Sequence, residues 1–233
     1  MLLKLPSHLT ILILKYLTLQ ELLTSVSRTC KLLYSIVQEN SILWTNFEFD
    51  FPLKLSETHL KRITRHSRTF RCFAIPGAQF LCDVPSIDLV LTRGVCTATS
   101  LRFLDLTDVP ISTLCFLKEV PTLEILNVSY CRNLSDTDFN AIRYCRKLTH
   151  LYVSFTSIRP VTLVSISTNL HTIKVLDACG IHMHTLDCES ILQHTFRSLL
   201  YFHISLSTSE SVSIFRQRLN DKYTNTSFII TPR

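Results

Sequence analysis

The chain has 233 residues, 46% of them hydrophobic, and 24 Lys and Arg stand against 18 Asp and Glu for a net charge of +6. That apolar content suffices for a sizeable core, yet no uninterrupted apolar run of about eighteen residues exists, so a membrane-spanning helix is not expected. Nine cysteines, an odd number spread singly, argue against a disulfide framework and read as reduced core residues of a cytoplasmic and/or nuclear protein.

The first predicted helix begins at Pro6, whose missing N–H is no loss at a first helical position. Leu9, Ile13 and Leu17 recur at fourfold spacing and are expected to face a core, while Ile11, Leu12 and Leu14 cover the other sides. A helix this apolar must be buried on two faces, and a small three-helix element supplies only one, so a docking partner is implied. Thr18 with Glu21 makes a capping box that opens a second helix through Leu19, Leu22, Leu23 and Val26. A third helix follows through Leu32, Leu33, Ile36 and Val37. Leu2, Leu3 and Lys4 ahead of the apolar run suggest a signal peptide, but Pro6, His8, Thr10 and Lys15 interrupt it and no small-residue cleavage site follows. Secretion is therefore not expected.

From Trp44 onward the chain repeats an apolar-x-x-apolar-x-apolar unit. It reads Trp44, Phe47, Phe49; Phe70, Phe73, Ile75; Leu101, Leu104, Leu106; Leu123, Leu126, Val128; Leu148, Leu151, Val153; Ile173, Leu176, Ala178; and Leu199, Phe202, Ile204. Successive starts are 26, 31, 22, 25, 25 and 26 residues apart, a period that predicts stacked coils of one short strand and one helical segment each. Asn225, Phe228 and Ile230 form a polar-started row that reads as a C-terminal cap. Pro85 and Gly94 bracket one predicted helix, Ser135 and Asp136 head another through Phe139 and Ile142, and Ser209 and Glu210 open the last through Val212, Phe215 and Leu219. With the first, fourth and sixth positions inward, the third and fifth align outside from coil to coil. The third column is Phe103, Ile125, His150, Val175, Tyr201; the fifth is Asp105, Asn127, Tyr152, Asp177, His203; Tyr130 and Phe155 extend the surface from the eighth position. Large rings mixed with Asp and His on an outward face suggest protein binding, the alternative being a shallow face whose rings only cover their neighbours.

In order and spacing residues 5 to 44 resemble the F-box, through Leu5-Pro6, Ile13-Leu14-Lys15-Tyr16-Leu17, Cys30-Lys31 and Leu43-Trp44. His8, Thr29 and Leu33 depart from the residues usual in that family. The unit from Leu123 to Cys145 resembles the cysteine-containing leucine-rich repeat, with Cys131, Leu134, Asp136, Ile142 and Cys145 at matching positions. Together the two patterns resemble the F-box and leucine-rich-repeat proteins, substrate receptors of cullin-RING ubiquitin ligases. The resemblance implies an α/β fold in which a three-helix F-box over residues 1–45 precedes a leucine-rich-repeat solenoid over 46–233, capped near 225–230. It further implies that Leu5, Pro6, Leu9, Ile13, Leu14, Tyr16 and Leu17 bind a Skp-type adaptor, and through it the cullin-RING ligase. By the same resemblance a target protein lies on Phe103, Asp105, Asn127, Tyr130, His150, Tyr152, Phe155, Asp177, Tyr201 and His203. The chain would then contribute proximity and no chemistry. The rival readings are a repeat scaffold without a ligase role and an extracellular leucine-rich-repeat binder.

Other constellations carry less. Cys179, His182, His184 and Cys188 have metal-ligand residue types, but Leu186 to Cys188 should belong to the next helix, so convergence would distort the coil and no metal is expected. His150, His203 and Asp105 lack a strained elbow or glycine-rich oxyanion loop, and no phosphate-binding glycine pattern exists, so neither catalysis nor a cofactor is expected. Asn127, Asn133 and Asn225 match the glycosylation pattern, as chance allows in a chain rich in Ser and Thr. Lys61, Arg65 and Arg68 share one helical face, with Arg62 and Arg71 nearby, and read as a solvated face or one that meets an acidic partner; without an aromatic ladder, nucleic acid is not expected.

Overall fold

The computed structural model describes residues 5–49, 53–80, 84–195, 198–206 and 212–232. Helix α1 (Ser7–Leu14) is N-capped by Pro6, which stands one residue outside the helix and not at its first position. Thr10 and Leu14 are the buried residues of α1, and Ile11 packs against the core. Leu9, Ile13 and Leu17 face solvent instead. Leu9, Ile13 and Leu17 form one row at fourfold spacing and Thr10 and Leu14 another, and the second is the one that turns inward.

The Thr18 capping box forms as expected: the Thr18 hydroxyl accepts from the Glu21 N–H at 3.2 Å, and the Glu21 carboxylate accepts from the Thr18 N–H at 2.7 Å. It opens α2 (Leu19–Glu21), which runs through a π-helical stretch, Leu22–Val26, into α3 (Ser27–Thr29). Helix α4 (Lys31–Glu39) starts at Cys30, whose sulfur accepts from the Leu33 N–H, and buries Leu33, Ile36 and Val37. Leu32 lies on its exposed side.

A 3-10 turn, Ser41–Trp44, carries the chain into the repeats. Trp44 is buried, donates its indole N–H to the Val37 carbonyl at 2.8 Å, and stacks on the ring of His66 at 4.4 Å. The His66 Nδ1 lies 2.9 Å from the Ser41 hydroxyl, and Thr69 donates to the Ser41 carbonyl at 2.8 Å. These contacts lock the helical N-terminus onto the first coil, whose core is aromatic: Phe47 stacks on Phe73 at 5.2 Å and Phe70 on Phe73 at 5.4 Å.

Burial depresses the pKa of His66, and the nearby Arg65 charge does the same, while the Gln38 backbone carbonyl works against both. The folded chain therefore holds a neutral imidazole, and protonation favours unfolding. The associated stability is complete above pH 6.5, the ordinary histidine value, and is lost as pH falls through the depressed folded value. His66→Phe keeps a ring on Trp44 but cannot titrate. The stability gap between the original chain and this variant, followed by urea unfolding, should narrow as pH drops from 8 to 5; a constant gap would remove His66 as the cause.

Eight strands form one parallel sheet: β1 (Asn46–Phe47), β3 (Cys72–Ala74), β5 (Phe103–Asp105), β6 (Ile125–Asn127), β7 (His150–Tyr152), β8 (Val175–Met183), β9 (Tyr201–Leu206) and β10 (Ser227–Pro232), lying side by side in chain order. The short strands β2 (Lys54–Leu55) and β4 (Gln79–Phe80) pair separately. The fourth positions of the repeat, Phe47, Phe73, Leu104, Leu126, Leu151, Leu176, Phe202 and Phe228, are mutual partners across the large sheet, and all are buried. The result is an α/β repeat fold in which each coil buries its apolar row only by stacking on the next.

The return segments are helical in several forms. Helix α5 (Glu57–Arg65) packs against α6 (Val84–Val95). Gly94 lies inside α6, not beyond its end: a Cβ there would come within 2.6 Å of the Thr64 side chain, so the glycine allows the two helices to approach. The segment expected as an α-helix through Phe139 and Ile142 is a 3-10 helix, Asp138–Tyr144, with Ser135 donating from its N–H to Asp138. Asp136 instead accepts from Arg159 and Thr162 of the following coil. Burial would raise its pKa, but these donors together hold the carboxyl below the usual range. Helices α7 (Pro160–Ser167) and α8 (Thr185–Thr195) follow. Helix α9 (Val212–Lys222) contains the expected Val212, Phe215 and Leu219, whereas Ser209 and Glu210 lie outside the described residues.

Candidate functional site

Two surfaces stand out, one on the N-terminal helices and one on the sheet. Leu9, Leu12, Ile13 and Tyr16 are spaced three and four residues apart along α1 and the turn after it, so they share one side. All are exposed, Tyr16 to 92%. Leu5, Pro6 and Leu17 are exposed as well. Leu14, counted with them on sequence grounds, is 3% exposed and belongs to the internal core, so it corrects to a structural role. Leu32, which the spacing of the third helix places inward, and Tyr34 and Ile42, which it does not single out, add further exposed apolar side chains. A groove of about 310 Å³ lies between the end of α1 and the first strand, lined by Tyr16, Leu17, Thr18 and Ile42 among others. Six large exposed hydrophobic side chains, Leu5, Leu9, Leu12, Ile13, Tyr16 and Leu17, on one helix and its flanks exceed what single surface leucines need for explanation.

On the sheet the ten outward positions fall into two rows in register. Phe103, Ile125, His150, Val175 and Tyr201 pair in one row, and Asp105, Asn127, Tyr152, Asp177 and His203 in the other. Each is half-buried. The fifth-column polar groups also have structural work that spacing did not reveal. Asp105 accepts from the Thr107 N–H at 2.9 Å, Asn127 from the Ser129 N–H at 3.1 Å, and Asp177 from the Cys179 N–H at 3.2 Å. The Asp105 and Asn127 bonds close the turns that end their strands, and the Asp177 bond lies inside β8 beside its register shift, the local backbone bonding usual for short polar side chains. Asp177 also lies 3.1 Å from the Nδ1 of His203. Burial and the Lys174 charge lower the pKa of His150, while burial and the Asp177 carboxylate raise that of Tyr152.

Tyr130 and Phe155 form the most distinctive feature of this face. Their rings stack at 4.8 Å and 16°, and both are exposed, to 40% and 44%. Both adopt left-handed backbone, φ 63° and 55°, as do Gly77, Asp108 and Gly180. Counting from the first apolar residue of each coil, all five occupy the eighth position. At Gly180, a Cβ would meet the Phe155 ring at 2.5 Å, so the next coil leaves room for that ring to lie flat. Left-handed backbone is costly for bulky aromatic residues, and the stacked pair persists where repeat geometry imposes it.

Burial pushes the thiols of Cys131, Cys145 and Cys188 up to about 12, far from a nucleophilic thiolate. Cys179 contacts the hydroxyls of Ser205 and Thr231 at 3.8 Å, while Cys188 is fully buried in α8. Among the described residues no three His, Cys, Asp or Glu side chains are grouped as metal ligands.

Comparison with known proteins is informative at one end of the chain. The family model described as F-box-like matches residues 2–50. Among solved structures, a leucine-rich repeat protein from Bacteroides eggerthii is similar with a TM-score of 0.37 and 13% identity over 66% of this chain. The similarity covers 27% of that chain, so the present chain spans well under two thirds of its length. No curated protein matches the sequence. The chain thus carries an F-box-like region at its N-terminus, followed by an α/β repeat.

Proposed function

We propose that this chain is the substrate receptor of a Skp–cullin–F-box ubiquitin ligase and takes no part in the chemistry. In this reading an adaptor-binding F-box over residues 1–45 holds a Skp-type adaptor through Leu5, Pro6, Leu9, Ile13, Tyr16 and Leu17. A leucine-rich-repeat solenoid over 46–233 holds a target protein in the cytoplasm or nucleus, and no cofactor is required. The observation that carries the reading is the exposed apolar stripe of α1 inside the segment that matches the F-box-like model. Tethering raises the effective concentration of target lysines at a charged conjugating enzyme, which accelerates transfer without a catalytic residue in this chain. Co-expression with a Skp-type adaptor should yield a complex that survives gel filtration; separate elution would overturn the proposal.

For the target, the favoured contact is the Tyr130 and Phe155 step, since stacked, exposed aromatic rings bury much area at little entropic cost. Tyr130→Ala with Phe155→Ala is expected to weaken retention of target proteins from lysate by about tenfold or more, at unchanged adaptor capture. Equal retention by both chains would remove these rings from the target site.

A further inference from the structure

The net charge of the chain is concentrated in one coil. Residues 53–80 hold six Lys and Arg and one Glu, which leaves five of the chain's net six positive charges in 28 residues. Residues 5–49 are neutral, with Lys15, Arg28 and Lys31 against Glu21, Glu39 and Glu48. A charge distribution serving only solubility would be interspersed along the surface.

The fold gathers these charges on one exposed surface. On α5, Ile63 turns inward and Thr64 meets α6 at Gly94, so the helix cannot rotate about its axis. Its outer arc presents Lys61, Arg62 and Arg65 within roughly one third of a turn, by the 100° step of a helix. Arg68 and Arg71 continue the surface through the 3-10 turn Ser67–Thr69 toward the edge of the sheet, and both are exposed. Arg62, Arg65, Arg68 and Arg71 have no carboxylate within salt-bridge distance among the described residues. Three arginines of later coils are paired: Arg102 with Glu124, Arg159 with Asp136 and Arg218 with Glu189.

We propose that this coil is a docking surface for an acidic polypeptide segment, distinct from the adaptor stripe and from the outward face of the sheet. Guanidinium groups bind carboxylates through paired, planar hydrogen bonds and never lose their charge near neutral pH, so four arginines without a carboxylate partner among the described residues match a run of Asp and Glu side chains. The nearby Phe70 and Phe73 are buried, so among the described residues the surface has no exposed Phe, Tyr or Trp ring on which a base could stack, which favours a carboxylate partner over single-stranded nucleic acid. The inference does not depend on the ligase reading, since the charges sit outside both surfaces used there.

The test uses the full chain and fluorescence anisotropy with a labelled ten-residue glutamate peptide, a labelled neutral Gly-Ser peptide, and labelled single- and double-stranded DNA. The glutamate peptide is expected to bind in preference to the other probes and more weakly as salt rises. Arg62→Ser, Arg65→Ser and Arg68→Ser together should weaken that binding by about tenfold, the combined effect of three exposed pairs. A control with Arg143→Ser, Arg146→Ser and Lys147→Ser removes equal charge from exposed positions of a later coil and should change it less than about twofold. Equal losses in both variants, tighter binding to either DNA, or no preference for glutamate over the neutral peptide would each overturn the proposal. Far-UV circular dichroism of both variants verifies that the substitutions leave the fold intact.

Discussion

A chain carrying Leu9→Asp with Ile13→Asp is expected to fold normally and to lose capture of a Skp-type adaptor altogether. Both side chains are exposed in the free chain, to 39% and 44%, so neither substitution opens an internal cavity or leaves a carboxylate in the core. In a docked complex the same positions would be covered by a partner. Burying a large apolar side chain is worth roughly 1.5–3 kcal/mol when complete, and an unpaired carboxylate in its place adds several kcal/mol of desolvation cost. Two such changes exceed about 6 kcal/mol, enough to move a nanomolar complex beyond detection by pull-down. The contrast with Leu14→Asp makes the experiment discriminating, because Leu14 is 3% exposed and its replacement should unfold the N-terminal helices themselves. Adaptor capture that survives the double substitution, in a chain with an unchanged thermal transition, would sink the ligase assignment.

The second large effect is expected at Trp44. Its indole fills the junction between α4 and the first coil, stacks on His66, and satisfies the Val37 carbonyl. Trp44→Ala should cost about 3–5 kcal/mol through lost burial and an unfilled cavity, a large share of the stability of an ordinary domain. Trp44→Phe retains most of the ring and loses the indole hydrogen bond, so about 1–2 kcal/mol is expected. Urea unfolding followed by far-UV circular dichroism measures both. Hydrogen exchange should show the Trp44→Ala loss first in α4 and in the Cys72–Ala74 strand. A uniform change along the repeats would mean that Trp44 is not the joint.

Much of this organisation can be read directly from residue types. The apolar rows from Phe47 to Phe228 predict the sheet register, because a strand too short to stand alone must place its central residue beneath the corresponding residue of the next coil. The Thr18 and Glu21 box is equally legible, since both of its hydrogen bonds are local in sequence. Long-range choices are not. Nothing in the spacing of α1 separates the Leu9, Ile13, Leu17 row from the Thr10 and Leu14 row, and a threonine is a poor marker for the inward face. Leu32 was expected inward and lies outside, because the neighbouring Leu33, Ile36 and Val37 already complete the buried stripe of α4.

The outward face divides the same way. Period-two alternation puts Asp105, Asn127 and Asp177 outside in one row, but whether their oxygens meet a ligand or their own backbone depends on the path the chain takes two residues further on. Left-handed backbone at Tyr130 and Phe155 carries no signal in the residue types, which ordinarily avoid it; the stacking of coils imposes it, and Gly180 accommodates the ring. Periodicity and capping chemistry are local properties, so residue order alone suffices for the elements, their repeat and the side of each strand that is buried. Which apolar row is left for a partner, and which polar groups remain available to one, are set by contacts between residues far apart in the chain, and these exist only once the coils have stacked.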